Sequence, residues 1–321
     1  MKRFFIMAYE KISCRKNCGS AVRRKTMDIK KYEVFLKVAE LGTLTRVGEV
    51  IGYTQSGISH MMKSLEKEVG FPLFWRHSQG ITLNDNGKQL LPVVRKMLLW
   101  NEQLRQTISS INGLEIGNIN VGTFSSISIH WLPHIIKEFQ SCYPKIHFAL
   151  YEGGLRLVEN WLIDGVADIA FLSRQPYHSF EWIMLKEDPM LAVLPKDYPL
   201  SDECCFPVEN FNDAPFIMPM SSTGFDHDVH SVLEKSNFSA SIKFSSIDDT
   251  AIISMVEHGL GISILPELVL KDRSSRVKTL SLKPEYFRSL GIALPSIDGA
   301  SPAVKKFLEY TDHILKRDNL L

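Results

Sequence analysis

The sequence predicts a multidomain protein in which an all-α winged helix-turn-helix domain is followed by a long linker helix and by an α/β domain of two Rossmann-like subdomains. Three patterns predict this order. Two short apolar stripes with helical spacing lie on either side of Gly52, a heptad seam runs from Leu90 to Ile111, and short β-like runs then alternate with helical runs. Such alternation is typical of parallel strands joined by crossover helices.

These patterns divide the chain into four segments. We expect a basic leader at 1–26, the winged helix-turn-helix at 27–86, the linker helix at 87–114 and the α/β domain at 115–321, with a first subdomain at about 115–188 and 294–321 and a second at about 189–293. The leader has no signal-peptide pattern, because its apolar run is short and is ended by Glu10 and Lys11. We expect it to be untranslated or disordered, with a basic arm along DNA as the alternative.

The segment 42–74 carries two apolar stripes joined by a tight turn, which is the pattern of a helix-turn-helix. Thr43 and Thr54 are expected to cap the two helices, and Gly52 is expected to end the first. Residues 74–83 are predicted to form a short wing. The buried positions are Leu44, Val47 and Ile51 in the first helix and Ile58, Met62, Leu65 and Val69 in the second.

The opposite face of the second helix is polar, and its side chains are of the kinds that contact a DNA groove. Glutamine pairs with adenine edges, hydroxyl groups contact bases or phosphates, and lysine contacts phosphate or guanine. The alternative is the solvated face of an ordinary helical hairpin. With the two caps and an arginine of the wing, the candidate DNA-binding residues are Thr43, Thr54, Gln55, Ser56, Ser59, His60, Lys63 and Arg76.

Residues at fixed offsets in this segment form a longer pattern, which consists of Gly42, Thr43, Thr54, Gln55, Ser56, Ser59, Leu65, Glu66, Gly70, Leu73, Phe74 and Arg76. The pattern resembles the DNA-binding domain of LysR-type transcriptional regulators. Val47 and Gly48 depart from it, since the family has paired alanines there, and Met61 stands where a glutamine often reads bases. The resemblance implies a sequence-specific, operator-binding transcription factor, but it does not transfer the base preference of relatives.

A long helix is predicted after the wing, with Asn84 as its cap and Pro92 as an interruption. Its apolar seam has heptad spacing, which is buried only against another helix, and a polar residue within it fixes the register of two partners. We therefore expect a homodimer through this helix; the alternative is a helix packed on its own domain. The candidate dimerisation residues are Leu90, Val94, Met97, Asn101, Leu104 and Ile108.

The resemblance extends into the α/β domain through residues that include Trp131, Pro133, Asp168, Gly261 and Pro266. It implies a domain like the type 2 periplasmic binding proteins, which holds a small effector between its lobes. It also implies a tetramer. No cofactor is implied, and the expected ligand is a small-molecule co-inducer of unknown identity.

Polar residues follow several of the predicted strands, where open α/β sheets bind ligands. Ser125 and Ser126 open a helix whose N–H groups suit a carboxylate, so an anionic co-inducer is the first candidate. The alternative is that these serines only cap helices. The candidate effector-binding residues are Ser125, Ser126, Glu152, Ser173, Thr223 and Phe225.

The composition of the chain limits the classes of protein to which it can belong. The chain has 321 residues, 45% of them hydrophobic, and a net charge of +1, so the prediction of nucleic-acid binding rests on the motif and not on charge. No apolar run approaches the roughly 20 residues of a spanning helix. The five cysteines fit neither a disulfide framework nor paired zinc spacing. We predict a cytoplasmic protein in which Cys204 and Cys205 are bystander thiols, with oxidant sensing as the alternative.

Two other functions compete with transcription regulation. An enzyme is not expected, because the chain has no G-x-S-x-G elbow, P-loop or G-x-G-x-x-G fingerprint. A pure solute receptor does not need the N-terminal helices. Asp226, His227, Asp228 and His230 are metal-ligand types, but acids at the start of a helix also complement its dipole, and no metal site is predicted. The expected partners are inverted-repeat double-stranded DNA and further copies of the chain, with RNA polymerase as another candidate and no membrane.

Overall fold

The computed structural model describes residues 27–77, 80–111, 116–200, 204–221, 224–236, 240–273 and 275–317. The chain divides into two compact units, one that ends at Gly87 and one that begins at Lys88. The predicted leader at 1–26 and the candidate residue Thr223 lie outside the described residues.

The first unit is a three-helix domain with a β-hairpin. Its elements are α1 (Ile29–Leu41), α2 (Leu44–Ile51), α3 (Gln55–Val69), β1 (Phe74–His77) and β2 (Gly80–Leu83). The two strands pair antiparallel, which confirms the predicted wing. The apolar stripes of α2 and α3 are buried against α1 at Val47, Ile58, Met62 and Leu65. The sequence patterns did not predict helix α1, although Val34, Phe35 and Val38 form its buried face.

Two glycines shape the turn between α2 and α3. Gly52 ends α2 in the left-handed region, with a φ of 77°, which disfavours other residues. At Gly48 the backbone of α2 approaches the turn so closely that a Cβ would lie 2.4 Å from the carbonyl oxygen of Tyr53. A side chain at position 48 would therefore displace this turn.

Of the predicted caps, Thr54 is confirmed and Thr43 is not. The Gly57 amide donates to Thr54 Oγ1 at 3.1 Å at the start of α3. Thr43 occupies the N-cap position of α2, but its side chain makes no cap hydrogen bond, and its Oγ1 is buried without a hydrogen-bond partner among the described residues. The predicted cap at Asn84 is confirmed, since the Gly87 amide donates to Asn84 Oδ1 at 2.9 Å.

The linker helix α4 (Asp85–Ile111) continues through Pro92. It is followed by the first subdomain, in which β3 (Gly117–Thr123) pairs in parallel with β4 (Ile146–Glu152) and β5 (Ile169–Ser173). The crossovers are α5 (Ser125–His130), α6 (Leu132–Cys142) and α7 (Leu155–Ile163). The predicted alternation is confirmed here.

A long strand, β6 (Glu181–Leu194), joins the two subdomains. Its first part pairs antiparallel with β13 (Phe287–Leu294), which in turn pairs with β5. Its last residues pair with β11 (Ser263–Pro266) and β12 (Lys278–Lys283) of the second subdomain. We expected the chain to re-enter the first subdomain at about residue 294. This boundary is wrong, because β13 pairs with β5 and therefore already belongs to the sheet of the first subdomain.

The second subdomain completes the α/β repeat. Its remaining elements are β7 (Cys205–Pro207), a 3-10 helix (Val208–Asp213), β8 (Pro215–Ser221), β9 (Gly224–Phe225), α8 (His227–Ser236), β10 (Ser241–Ser246), α9 (Asp249–Glu257) and α10 (Glu267–Leu270). The closing helix α11 (Pro302–Arg317) packs on α6 and β3 of the first subdomain. Each subdomain has its own apolar core, built around Trp131 and Phe139 in the first and around Phe206 and Phe216 in the second.

Candidate DNA interface and effector cleft

The polar face of α3 is presented to solvent. Gln55, Ser56, His60 and Lys63 are exposed and Ser59 is half-buried, while the apolar residues of the same helix form the core of the domain. A core side chain cannot reach a base edge, whereas exposed polar side chains on one helix face can enter a major groove. The structure therefore brings five of the predicted DNA-binding residues together on one accessible surface, which we call the recognition face.

The wing arginine lies beside the recognition face. Arg76 Nη1 donates to Ser59 Oγ at 3.3 Å, and Arg76 Nη2 lies 3.8 Å from Glu66 Oε2. Glu66 itself accepts a hydrogen bond from the Leu73 amide at 2.8 Å, which ties the end of α3 to the start of the wing. The guanidinium is thus positioned next to α3 by two side chains of that helix.

The two candidate threonines, Thr43 and Thr54, differ from each other in the accessibility of their hydroxyl groups. Thr54 Oγ1 accepts from the Gly57 amide and lies 3.0 Å from Ser56 Oγ, so both hydroxyl groups are ordered at the exposed first turn of α3. Thr43 was predicted to contact DNA, but its hydroxyl oxygen is buried. This prediction is therefore wrong for the Thr43 side chain, because the oxygen is inaccessible to a phosphate.

The candidate dimerisation seam on α4 is exposed over only part of its length. Leu104 is 58% exposed and Ile108 is 51% exposed. Leu90, Met97 and Asn101 are half-buried. Val94 is 2% exposed in the single chain, so its side chain is not available to a partner and the prediction is wrong at this position.

The same helix also packs on the first subdomain of its own chain. Arg95 Nη1 donates to Asp164 Oδ2 at 3.0 Å, and Gln106 Nε2 donates to the carbonyl oxygen of Asn118 at 3.3 Å. The alternative of a helix packed on its own chain therefore holds for one face of α4, while Leu104 and Ile108 remain exposed.

A cavity of about 370 Å³ lies where the two subdomains meet. Three of the predicted effector-binding residues, Ser125, Ser126 and Glu152, line it. Ser173 is buried beside it, and its Oγ donates to Asp228 Oδ1 at 3.0 Å. Phe225 lies in β9, which pairs with β8 next to the cavity residue Met220. The predicted residues at the ends of β3, β4 and β5 are thus brought to one place.

An ion pair that was not predicted lies at the back of this cavity. Arg288 of β13, 8% exposed, donates through Nε to Asp188 Oδ2 of β6 at 2.8 Å, and Asp188 is fully buried. The Leu268 amide donates to the other oxygen of Asp188 at 3.0 Å. Arg288 Nη2 also donates to Ser126 Oγ at 3.4 Å, and its Nη1 lies 3.9 Å from Asp228 Oδ2. This guanidinium therefore joins both subdomains at the strand that connects them.

The cavity also holds acids whose ionisation is disfavoured. Burial, and after it the charge of Asp226, raise the pKa of Asp228 to about 6 against the opposing effects of Arg288 and the Ser173 hydroxyl. Burial likewise raises the pKa of Asp249 to about 6, with Asp226 as the second cause. Asp226 Oδ1 accepts from the amides of Asp228 and Val229, both at 3.1 Å, at the start of α8.

Sequence reasoning missed several residues of this site. Asp188 and Arg288 lie on parts of β6 and β13 that were not recognised as strands, so no strand-end argument pointed to them. Asp226 and Asp228 were noticed only as metal-ligand types; among the described residues no group of three or more such side chains is arranged to hold a metal ion. In the described part of the chain, no helix has the length and hydropathy to cross a membrane.

Comparisons with known protein families agree with both parts of the chain. Residues 29–88 match the model described as bacterial regulatory helix-turn-helix protein, lysR family. Residues 112–314 match the model described as LysR substrate binding domain. The chain belongs to the LysR family of transcription regulators. It binds DNA through the helix-turn-helix and responds to a small-molecule effector in the C-terminal domain.

The chain is also similar to individual proteins. It is 32% identical over 286 residues to the uncharacterised HTH-type transcriptional regulator YvbU of Bacillus subtilis strain 168, covering 88% of this chain and 97% of that protein. A full-length OxyR variant of Pseudomonas aeruginosa, in which aspartate replaces one cysteine, superimposes with a TM-score of 0.72 at 19% identity, covering 91% of this chain and 95% of that one. Full-length CbnR in complex with its target DNA gives a TM-score of 0.64 at 18% identity, covering 90% and 100%. The two superpositions show that the chain shares the fold of these full-length proteins.

Proposed function

We propose that this regulator reads its operator with the recognition face of α3, while Arg76 of the wing contacts the phosphate backbone. The observation that carries the proposal is the placement of Gln55, Ser59 and Lys63 on one exposed helix face, with Arg76 hydrogen-bonded to Ser59. Base-edge contacts give specificity, and phosphate contacts give register. In these roles Gln55 selects bases and Lys63 adds affinity that is independent of sequence.

The chain acts as a dimer of reading heads within a homotetramer. Leu104 and Ile108 leave an apolar stripe exposed on α4, and a second copy of that helix covers such a stripe by heptad packing. A two-fold dimer requires a palindromic site, so the operator is an inverted repeat with half-sites about one helical turn apart. The regulator works in the cytoplasm, where RNA polymerase is a further candidate partner.

The effector binds in the cavity between the subdomains and changes their relative position. Asp228 of the second subdomain accepts hydrogen bonds from Ser173 and Gln175 of the first, at 3.0 and 3.4 Å. A ligand that contacts Asp228 from the cavity either competes with these two hydrogen bonds or stabilises them. It shifts the equilibrium between two arrangements only by the difference between its affinities for them. The coupled motion changes the spacing of the reading heads.

The test begins with the DNA that is recovered with the protein from cells and sequenced, which supplies the operator. Binding of that fragment and of a random fragment is then measured by fluorescence anisotropy. Lys63→Ala is expected to weaken binding to both fragments by about tenfold, because a lost phosphate contact acts on every sequence. Lys235→Ala, an exposed lysine at the end of α8, is the matched control and leaves both affinities unchanged. Unchanged binding in Lys63→Ala contradicts the proposed interface.

A further inference from the structure

The cavity between the subdomains is lined by more negative than positive charge. Its charged lining consists of Glu152, Asp226, Asp228, Asp249 and Arg288. Residues 221–225 are only partly described, but their sequence carries no charged residue. The excess of carboxylates therefore does not depend on that segment.

The single arginine of this lining is already neutralised. The Arg288 guanidinium forms two contacts of 2.8 Å with Asp188, whose carboxylate is fully buried behind it. A buried ion pair is costly to separate, because either partner would be left as an uncompensated charge. Arg288 is thus held as a structural cation, and it does not offer a free charge to an anionic ligand.

The expected anion site at Ser125 and Ser126 is also weak. Helix α5 has only six residues, Ser125–His130, so its N-terminus has little of the dipole that a longer helix has. Ser126 Oγ already accepts a hydrogen bond from Arg288. The expectation of an anionic co-inducer rested on the N-terminus of α5, and the structure gives that site no further support.

We propose that the cleft takes an organic cation, in which a protonated amine lies among Asp226, Asp228 and Asp249 and a small apolar body packs on the apolar side chains of the same cavity. This inference rests on the proposed role of the cavity as the effector site. The apolar side chains of the lining are Phe124, Leu155, Leu157, Met220, Ile247 and Val269. An ammonium group donates three hydrogen bonds and carries a positive charge, which offsets the excess of carboxylates in this lining.

A further observation agrees with a cationic ligand. The carboxyl groups of Asp228 and Asp249 have raised pKa values because they are buried near Asp226, and a bound cation relieves that repulsion.

The experiment compares matched cations and anions on the full-length protein. Hexylammonium and benzylammonium are titrated beside hexanoate and benzoate at pH 7.5, with ligand-observed NMR to detect millimolar affinities. The ammonium compounds are expected to bind at least about tenfold more tightly than the carboxylates, since the two groups differ by two unit charges in a partly desolvated site.

Variants then locate the binding. Asp249→Asn and Asp226→Asn keep the side-chain shape, and asparagine remains a good residue at a helix start. Each is expected to weaken ammonium binding by about tenfold. Glu309→Gln removes the same charge from an exposed position on α11 and leaves ammonium binding unchanged. Circular dichroism spectra that match the parent protein show that the variants are folded.

Several outcomes overturn the proposal: carboxylates that bind as tightly as ammonium compounds, an ammonium affinity that is unchanged in both aspartate variants, or no ammonium binding at millimolar concentration. Operator affinity is measured on the same samples. A carboxylate that binds in the cavity and shifts operator affinity contradicts the charge assignment but leaves the proposed function in place. A parent protein that does not bind its recovered operator contradicts the proposed function itself.

Discussion

The recognition face and the effector cavity hold their polar groups in opposite ways. On α3, Gln55, His60 and Lys63 are exposed side chains on the surface of a packed helix. In the cavity, Asp188 and Arg288 are buried and joined to each other by short contacts. A surface that meets DNA needs side chains with free donors and acceptors, whereas a cleft that selects a small molecule needs charges that are fixed before the ligand arrives.

The largest loss of stability is expected from a change at the buried pair of Arg288 and Asp188. Arg288→Met leaves Asp188 as an unpaired buried charge, so the free energy of unfolding is expected to fall by about 3–5 kcal/mol. Denaturant unfolding measures this loss. The exposed pair Lys316–Asp312 is the control, and Lys316→Met is expected to change stability by less than about 1 kcal/mol. Equal losses of unfolding free energy in Arg288→Met and Lys316→Met would contradict the expected difference between the buried and the exposed ion pair.

The next largest effect is expected in the helix-turn-helix. Gly48→Ala places a Cβ 2.4 Å from a backbone oxygen, so the turn between α2 and α3 must shift. We expect a loss of roughly 1–3 kcal/mol in unfolding free energy, as for an overpacked core. Gly57→Ala is the control with the smaller change, because its Cβ would meet side chains and no backbone, Thr54 Oγ1 at 3.3 Å and Tyr53 Cδ1 at 3.9 Å. A thermal unfolding scan in which both variants lose the same stability contradicts the close approach at Gly48.

The exposed stripe of α4 provides a third test, since it lies outside both polar regions. Leu104→Asp and Ile108→Asp place charges in the proposed helix pair, and each is expected to weaken self-association by about tenfold or more. Analytical ultracentrifugation measures the dimer dissociation constant. Val93→Asp, at an exposed apolar position outside the heptad seam, is the control. Dimers that persist in both seam variants would assign the contact to another surface.

The smallest expected effect is a dependence of stability on pH in the cavity. Because the pKa of Asp249 is raised to about 6 from its ordinary value of 3.8, the folded state favours the protonated acid, and this contribution is lost as the pH rises through 6. Asp249→Asn is therefore expected to stabilise the protein at pH 7.5 and to have no effect near pH 4. The gain is expected to be about 1 kcal/mol, less than the full shift corresponds to, because Asp249 is only half-buried and solvent screens its charge. The charged neighbours Asp226, Asp248, Arg273 and Arg288 remain in both proteins. A gain in unfolding free energy that is the same at both pH values would contradict the raised pKa of Asp249.

The sequence predicted the elements whose signal is local. The apolar stripes identified α2 and α3, Gly52 marked the turn, and β-like runs located β3, β4 and β5. These features depend on residues a few positions apart, so periodicity is enough to find them.

The sequence did not predict the features that depend on distant partners. Arg288 and Asp188 are 100 residues apart in the chain, and only the pairing of β13 with β6 brings them together. The inaccessible Thr43 hydroxyl and the buried Val94 side chain failed as predictions for a similar reason. Each has the right residue type at the right spacing, but neighbours that the local pattern does not reveal cover it.

We propose above all that the exposed face of α3 lies in the major groove of the operator. The affinity of Gln55→Ala for the operator and for random DNA, measured side by side with the parent protein, tests this directly. We predict a loss of about 1–3 kcal/mol on the operator with little change on random DNA, because a base contact acts only at its own sequence. Equal losses on both fragments, or no loss on either, would contradict it.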